Sequence, residues 1–156
     1  MIKYMDTFSW RERGLDDDRL EVNDTEETNY YCNLVEAGSQ DPDVCLEAVK
    51  INPWILGLVK NQTREICLEA VKRNGAALKY VKDQTEEVCL AAVKQKGTAM
   101  KFVKDQSEIV CLEAVKQNGL ALHYVWNQTK DICLAAVRQN KDALRYVQAQ
   151  FLDVCK

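Results

Sequence analysis

The stretch that decides the fold is residues 65–85, EICLEAVKRNGAALKYVKDQT, because close copies of it recur along most of the chain. Six cysteines mark these copies, with 22 residues from each cysteine to the next: Cys45, Cys67, Cys89, Cys111, Cys133 and Cys155. A constant period of this length is typical of repeat architectures, in which each unit buries its apolar face against its neighbours. Five full units follow one another: unit 1 (41–62), unit 2 (63–84), unit 3 (85–106), unit 4 (107–128) and unit 5 (129–150).

The first half of each unit predicts an amphipathic α-helix. In unit 2, Thr63 supplies an oxygen for the helix N-cap, and Glu65 places a negative charge in the first turn. Apolar residues then follow at spacings of one, three and four, which is the pattern of a helix with one buried face. The N-cap position holds an oxygen-bearing side chain in every unit: Asp41, Thr63, Thr85, Ser107 and Thr129.

The second half of each unit predicts a shorter helix. Four units have asparagine just before it (Asn52, Asn74, Asn118 and Asn140), and unit 3 has Lys96. An Asn-Gly pair taken alone suggests a turn with positive φ, but the residue after the asparagine is Pro53 in unit 1 and Lys141 in unit 5. Proline cannot adopt positive φ and lysine rarely does. We therefore predict that asparagine is the N-cap of the second helix, and that both helices depend on stacking for stability.

These patterns predict an all-α solenoid of short helix-turn-helix repeats, whose right- or left-handedness the sequence leaves open. Residues 41–156 form the predicted repeat domain, and residues 1–40 a predicted N-terminal leader. The leader is acidic, with four basic and ten acidic side chains, whereas the remainder has 17 basic and 14 acidic ones. Within the leader, residues 30–38 are expected to form a degenerate half-repeat that caps the first unit, with Leu34 in the register of Leu56 and Leu78.

The six periodic cysteines are interpreted as packing residues. Each follows a valine or isoleucine in the sequence, and a free cysteine in such surroundings behaves as a small hydrophobe. The chain has no C-x-x-C motif and no Cys–His pair, and we expect equivalent cysteines of successive units to lie too far apart for a disulfide or a shared metal ion. No metal or cofactor is therefore predicted, and the compartment is expected to be reducing. Cys32 lies outside the register and is expected to be the most accessible thiol.

A glutamine closes each unit, at Gln62, Gln84, Gln106, Gln128 and Gln150, and Gln40 precedes the first unit. A polar side chain that recurs at a tight turn between units is expected to bind backbone groups there. We predict a structural ladder of hydrogen bonds rather than a ligand site.

The consensus of the unit is D/T-x-x-[VI]-C-L-x-A-V-K-x-N-[PG]-x-A-L-x-Y-V-x-[ND]-Q. It resembles a family of domain-of-unknown-function repeats found mainly in giant DNA viruses of amoebae and in some protist-associated bacteria. The resemblance covers residues 41–155, and both halves of the motif recur in order. It implies an α-helical repeat fold and a viral or intracellular context, but it implies no activity.

Basic side chains recur at the same period in three columns. The first column holds Lys50, Lys72, Lys94, Lys116 and Arg138; the second Lys79, Lys101, His123 and Arg145; the third Lys60, Lys82 and Lys104. Glu47, Glu69 and Glu113 precede first-column lysines by three residues, so local ion pairs are expected there. Trp126 takes the third-column position in unit 4, where we expect an exposed indole. The candidate partner-binding residues are the second column, Trp126, and Lys72, Lys94, Lys116 and Arg138 of the first column.

The sequence shows no catalytic constellation, and we expect a non-enzymatic scaffold that binds an unidentified protein partner. One alternative is a nucleic-acid-binding module that uses the lysine columns, which the small positive charge of the repeat domain does not favour. Another is a structural subunit that self-assembles through its repeat ends or through the acidic leader. No apolar run approaches the roughly 20 residues of a membrane-spanning helix, so the expected location is the cytoplasm, or the host cytoplasm or virion if the protein is viral.

Overall fold

The computed structural model describes residues 26–155, and residues 1–25 and 156 lie outside it. In this part of the chain the regular structure is entirely helical. Seven α-helices follow one another: α1 (Glu26–Glu36), α2 (Pro42–Ile51), α3 (Arg64–Arg73), α4 (Glu86–Gln95), α5 (Glu108–Gln117), α6 (Lys130–Gln139) and α7 (Leu152–Cys155). Helices α2 to α6 are the first helices of units 1 to 5.

Each of these five helices begins at the predicted N-cap residue. The Thr63 hydroxyl accepts a hydrogen bond from the Ile66 N–H, and Thr85, Ser107 and Thr129 make the same bond in their units. The Asp41 carboxylate accepts from two N–H groups, and Pro42 occupies the first turn of α2, where its missing N–H costs nothing. The sequence prediction of the first helices is confirmed.

The second helix of each unit is a six-residue 3₁₀ helix, a tighter coil than the sequence alone indicates. These helices span Pro53–Leu58, Gly75–Tyr80, Gly97–Phe102, Gly119–Tyr124 and Lys141–Tyr146. The asparagine side chain caps four of them, and Lys96 makes no side-chain cap bond in unit 3. Among residues 26–155, Gly38 alone has a positive φ, so the N-cap interpretation of the Asn-Gly pairs is confirmed.

Successive units stack so that the α-helices form one layer and the 3₁₀ helices a second one. Each of the helices α3 to α6 also packs against the 3₁₀ helix of the preceding unit, which links the two layers. The core lies between the layers and is continuous from unit 1 to unit 5. Its central side chains repeat at one position and are fully buried at Leu56, Leu78, Met100 and Leu122. The chain is therefore an all-α repeat solenoid, as the sequence predicts.

Helix α1 packs on α2 and continues the α-helical layer by one helix. It ends in a Schellman motif, since the Gly38 N–H donates to the Val35 carbonyl and the Ser39 N–H to the Leu34 carbonyl. Gly38, at φ 102°, provides the left-handed residue that this motif requires. Residues 31–36, which the 22-residue register aligns with the 3₁₀ helices, thus belong to an α-helix. Residues 1–25 of the predicted leader lie outside the described residues.

The glycine that opens a 3₁₀ helix is required by the closeness of the next unit. A Cβ atom on Gly97 would lie 2.7 Å from the Ala114 carbonyl oxygen and 2.8 Å from Cβ of Asn118, both in unit 4. Gly75 and Gly119 face their next units in the same way. The glycines are therefore explained by packing between units and not by backbone conformation.

The predicted glutamine ladder is present at the turns between units. Gln84 Nε2 donates to the Leu78 carbonyl of its own unit and to the Phe102 carbonyl of the next, at 3.2 and 2.9 Å. Its Oε1 accepts the Lys104 N–H at 3.0 Å. Gln62, Gln106 and Gln128 bridge their units in the same way, and Gln40 binds unit 1. Gln150 departs from the pattern and donates to the Gln148 side chain.

A second glutamine ladder, which the sequence prediction missed, joins the units at the opposite end of the 3₁₀ helices. The Gly75 N–H donates to Gln95 Oε1 at 2.7 Å, and Gly97 with Gln117 and Gly119 with Gln139 repeat the bond. In unit 1 the glycine position holds Pro53, which has no N–H to donate. The residue of unit 2 that would accept this bond is Arg73 instead of glutamine. Arg73 forms an ion pair with Glu69.

Within residues 26–155, no helix is long and apolar enough to cross a membrane.

Candidate functional site

The periodic cysteines point into the core, as predicted, and all six are buried. Their thiols also have a polar role. In three units the Sγ atom lies near Oε1 of the ladder glutamine five residues earlier, at 3.8 Å for Cys67, 3.7 Å for Cys89 and 3.3 Å for Cys133. An S–H group can donate weakly to this oxygen. Cysteine therefore fits the position better than a purely apolar residue of the same size.

The expected separation of equivalent cysteines is wrong for the last pair. Cys155 lies near enough to Cys133 to contribute to the raised pKa of the Cys133 thiol. Successive α-helices, among them α6 and α7, are direct neighbours in one layer with no helix between them. Both cysteines are free thiols.

Burial suppresses the reactivity of the thiols. It raises the pKa of Cys111 to about 11, with a further contribution from the Glu108 carboxylate, and it raises the pKa of Cys133 to about 11 as well. The half-buried Cys32 also has its pKa raised to about 11, by desolvation first and by Glu36 second. Since the thiolate is the nucleophile, a shift from 9.0 to about 11 lowers the reactive fraction about 100-fold at neutral pH.

We expect slow modification of the folded chain by an Ellman-type disulfide reagent at pH 8. Cys32 reacts first because its side chain is half-buried while the other six are buried. All seven thiols react rapidly in denaturant, where burial no longer opposes ionisation. Absorbance kinetics with and without denaturant, and the variant Cys32→Ser as control, measure this difference. Rapid reaction of several thiols in the folded chain would contradict it.

No group of three or more His, Cys, Asp or Glu side chains in residues 26–155 is arranged to hold a metal ion.

The first basic column lies on the exposed face of the α-helical layer. Lys72 and Lys94 flank an open groove of about 650 Å³ between α3 and α4, whose floor includes Leu68 and Leu90. Lys116 and Arg138 continue the column as exposed residues on α5 and α6. The structure thus brings Lys72 and Lys94 to one groove and leaves the other two farther along the same face.

The ion pairs expected for the first column form only in part. Lys50 binds Glu47 at 2.7 Å, as predicted. Glu69 instead pairs with Arg73, one residue beyond Lys72, also at 2.7 Å. Arg64 and Glu87 form a two-bonded ion pair that joins α3 to α4. These pairs are exposed, so solvent screening leaves each a small contribution to stability.

The third column has a structural role. The Lys82 ammonium donates to the Lys60 carbonyl at 2.7 Å, and the Lys104 ammonium donates to the Lys82 carbonyl at 2.9 Å. Each lysine therefore binds the turn that ends the preceding 3₁₀ helix, where carbonyl groups have no partner within the helix. Trp126 interrupts the series, and its side chain is 62% exposed, as the sequence predicts.

The second column combines with aromatic rings into a surface that we call the cation–aromatic strip. It lies on the 3₁₀ layer and consists of one basic or imidazole side chain and one ring from each of units 2 to 5: Lys79 and Tyr80, Lys101 and Phe102, His123 and Tyr124, Arg145 and Tyr146. The four members of the basic column are exposed, and the four rings are half-buried.

Each basic side chain of the strip lies over a ring. The Lys79 ammonium is 4.9 Å from the Tyr80 ring centroid, and the Lys101 ammonium is 4.8 Å from that of Phe102. The Arg145 guanidinium is 5.1 Å from the Tyr146 ring centroid. At such distances the ring attracts the cation by about 0.5–1 kcal/mol at an exposed site. His123 makes ring contacts with Tyr124 and with Tyr146 of the next unit, at 5.0 and 4.8 Å between centroids.

Unit 1 differs from this pattern because it has Gly57 at the basic position. A Cβ atom there would lie 3.0 Å from the Tyr80 ring, so glycine leaves room for this ring. Trp54 meets the Tyr80 ring edge-on at 6.0 Å between centroids, and the Lys79 ammonium lies 5.8 Å from Trp54. The strip therefore begins at Trp54.

The cations of the strip have no ion-pair partner in the part of the chain that the structure describes. None of Lys79, Lys101 and Arg145 forms an ion pair there. The five 3₁₀ helices contain one acidic residue, Asp142, in unit 5. A periodic sequence pattern reveals the column, but which columns carry unpaired charge depends on side-chain contacts.

Ile109 is an exposed apolar residue that the sequence analysis did not predict. Ile109 is 58% exposed in the first turn of α5, at a position that is acidic in the other four units. The replacement of an acidic residue by isoleucine in this one unit was a signal in the sequence that could have identified it. Ile109 lies on the α-helical layer and is therefore not part of the strip.

The stacked units define the class: this is an α-helical repeat protein whose exposed layers carry periodic charge. Residues 41–84, 63–106 and 108–151 each match the family described as Domain of unknown function (DUF4116), and the chain belongs to that family. Each match spans two consecutive units. The repeat family implied by the consensus is thereby confirmed. Curated proteins and solved structures give no match.

Proposed function

We propose that the protein is a non-enzymatic scaffold that binds a protein partner through the cation–aromatic strip. The observation that supports this proposal is the contrast between the three basic columns. The third column is used by internal hydrogen bonds, as at Lys82. In the first column Lys50 forms an ion pair, and Lys72 and Lys94 share their groove with the carboxylates of Glu86 and Glu87. The basic groups of the strip instead lie over rings and are exposed, so they are free to meet a ligand.

The rest of the molecule suits a scaffold. A continuous core from unit 1 to unit 5 holds the 3₁₀ helices in a fixed order. Two glutamine ladders tie neighbouring units together on both sides of the 3₁₀ helices of units 2 to 4. A surface built on such rigid elements loses little conformational freedom on binding, which favours affinity. We include in the proposal the viral context that the resemblance implies, with the host cytoplasm or virion as the location.

Reversal of the charges on the strip is expected to abolish partner capture. The variant Lys79→Glu/Lys101→Glu/Arg145→Glu places repulsive charges where the partner binds, and we expect recovery of the partner to fall at least about 10-fold. The matched control is Lys72→Glu/Lys94→Glu/Lys116→Glu, which changes the net charge equally on the other layer. Affinity purification from the native cells, followed by quantitative mass spectrometry, measures the recovery.

Equal losses in the two variants would show that net charge, and not the strip, determines capture. A strip variant that retains its partner would also overturn the proposal. Circular dichroism of each variant confirms that the helices remain folded, so that a loss of binding is not a loss of structure.

A further inference from the structure

We propose that the ligand of the strip is an extended acidic peptide segment with a carboxylate at every third residue. This inference rests on the proposed function and specifies its partner. The segment would lie across units 2 to 5, at right angles to the 3₁₀ helices and along the line of Lys79, Lys101, His123 and Arg145.

The charge of the ligand follows from the strip itself. It presents Lys79, Lys101 and Arg145, none of which forms an ion pair among residues 26–155. Carboxylates of a ligand would therefore meet cations that have no ion-pair partner within residues 26–155. Complementary charge of this kind increases both specificity and the rate of association.

The rings favour a peptide over a single-stranded nucleic acid. Proteins that bind single strands stack bases on exposed aromatic faces. Here the rings of Tyr80, Phe102 and Tyr146 each have a cation of their own over them, and Tyr146 also contacts His123. Three of the four rings thus have a cation over one face, which leaves less ring surface on which a base could stack. A ligand meets the charges first, and these charges are already positioned.

The spacing of the ligand follows from the spacing of the units. Packed helices lie about 8–10 Å apart, so the basic groups of successive units are separated by about that distance. A polyproline II segment rises about 3.1 Å per residue with three residues per turn, which places every third side chain on one face at about 9 Å. In a β-strand, successive side chains on one face are only about 7 Å apart. Over three intervals they would therefore be displaced from the basic groups by roughly 6 Å.

Three acetylated peptides of one composition, with four glutamates among alanine and proline, test this spacing. The glutamates are placed at every third residue, at every second residue, or in one block, and a single-stranded oligonucleotide of similar charge is added as a fourth ligand. Fluorescence anisotropy with the full chain at low salt gives the dissociation constants. We expect the every-third peptide to bind about 10-fold more tightly than the others, and Lys79→Ala/Lys101→Ala to remove that preference. The control Lys72→Ala/Lys94→Ala keeps it.

Equal affinity for the three peptides would overturn the inference, because it would mean attraction by charge alone. Tighter binding of the oligonucleotide than of any peptide would overturn it in favour of a nucleic-acid ligand. The proposed function can be judged separately. If the peptides bind alike while the strip variant still loses its cellular partner, the scaffold proposal stands and the spacing of its ligand is wrong.

Discussion

Leu78→Ala is expected to lower the free energy of unfolding by about 2–5 kcal/mol. Leu78 is fully buried at the centre of unit 2, between the α-helical layer and the 3₁₀ layer. Alanine removes apolar contacts and leaves a cavity that the stacked helices cannot close, since two glutamine bridges fix the position of the 3₁₀ helix relative to unit 3. Urea unfolding followed by circular dichroism measures the change.

Leu144→Ala is the matched control for this variant. Leu144 occupies the same position in unit 5 but is only half-buried. Its truncation is expected to cost less than half as much, because less apolar area leaves water in the folded state. Equal losses at the two positions would contradict the description of the core, and so would a Leu78→Ala variant as stable as the parent chain.

Gly97→Ala is expected to destabilise the chain by about 1–3 kcal/mol, the usual cost of forcing extra atoms into a packed site. The new Cβ would lie 2.7 Å from the Ala114 carbonyl oxygen, which belongs to the backbone of α5 and cannot rotate away. It would also lie 2.5 Å from Gln117 Oε1, the acceptor of the Gly97 N–H bond. In an unstrained site a Gly→Ala substitution would stabilise the folded protein by about 0.4–1 kcal/mol, because it lowers the conformational entropy of the unfolded chain. The sign of the measured effect therefore tests the packing.

Lys141→Ala provides the control for the glycine substitution. Lys141 stands at the position of Gly97 in unit 5, already has a Cβ atom and is exposed. We expect its truncation to change stability by less than about 0.5 kcal/mol. Thermal and urea unfolding of both variants give the comparison. Stabilisation by Gly97→Ala would show that units 3 and 4 do not approach each other as closely as described.

The sequence was sufficient to predict most of the fold because five copies of one pattern can be compared position by position. One Asn-Gly pair is ambiguous, but Pro53 and Lys141 at the glycine position exclude a turn with positive φ. The 3₁₀ geometry of the second helix was not predictable, since residues such as Ala76 and Ala77 favour any helix. The role of the glycines was missed for a related reason: the atoms that exclude a Cβ come from the next unit.

The candidate site was predicted in position but not in chemistry. Counting by 22 identifies every basic column, yet it gives no information on what each ammonium contacts. Lys82 binds a carbonyl of the preceding turn, whereas Lys79 lies over the Tyr80 ring, although the two residues are only three apart. Local rules also failed for Glu69, because i,i+3 and i,i+4 partners were both available and the structure pairs it with Arg73.

The second glutamine ladder shows how such an array could change length. A Gly–Gln pair joins units 2 and 3, units 3 and 4, and units 4 and 5, whereas a Pro–Arg pair stands at the junction of units 1 and 2. Duplication of 22 residues within units 2 to 4 would create a new junction with both bonding partners already in place. Loss of one such unit would likewise leave its neighbours compatible. Recombination between internal units can therefore lengthen or shorten the cation–aromatic strip one basic group at a time, without a compensating mutation.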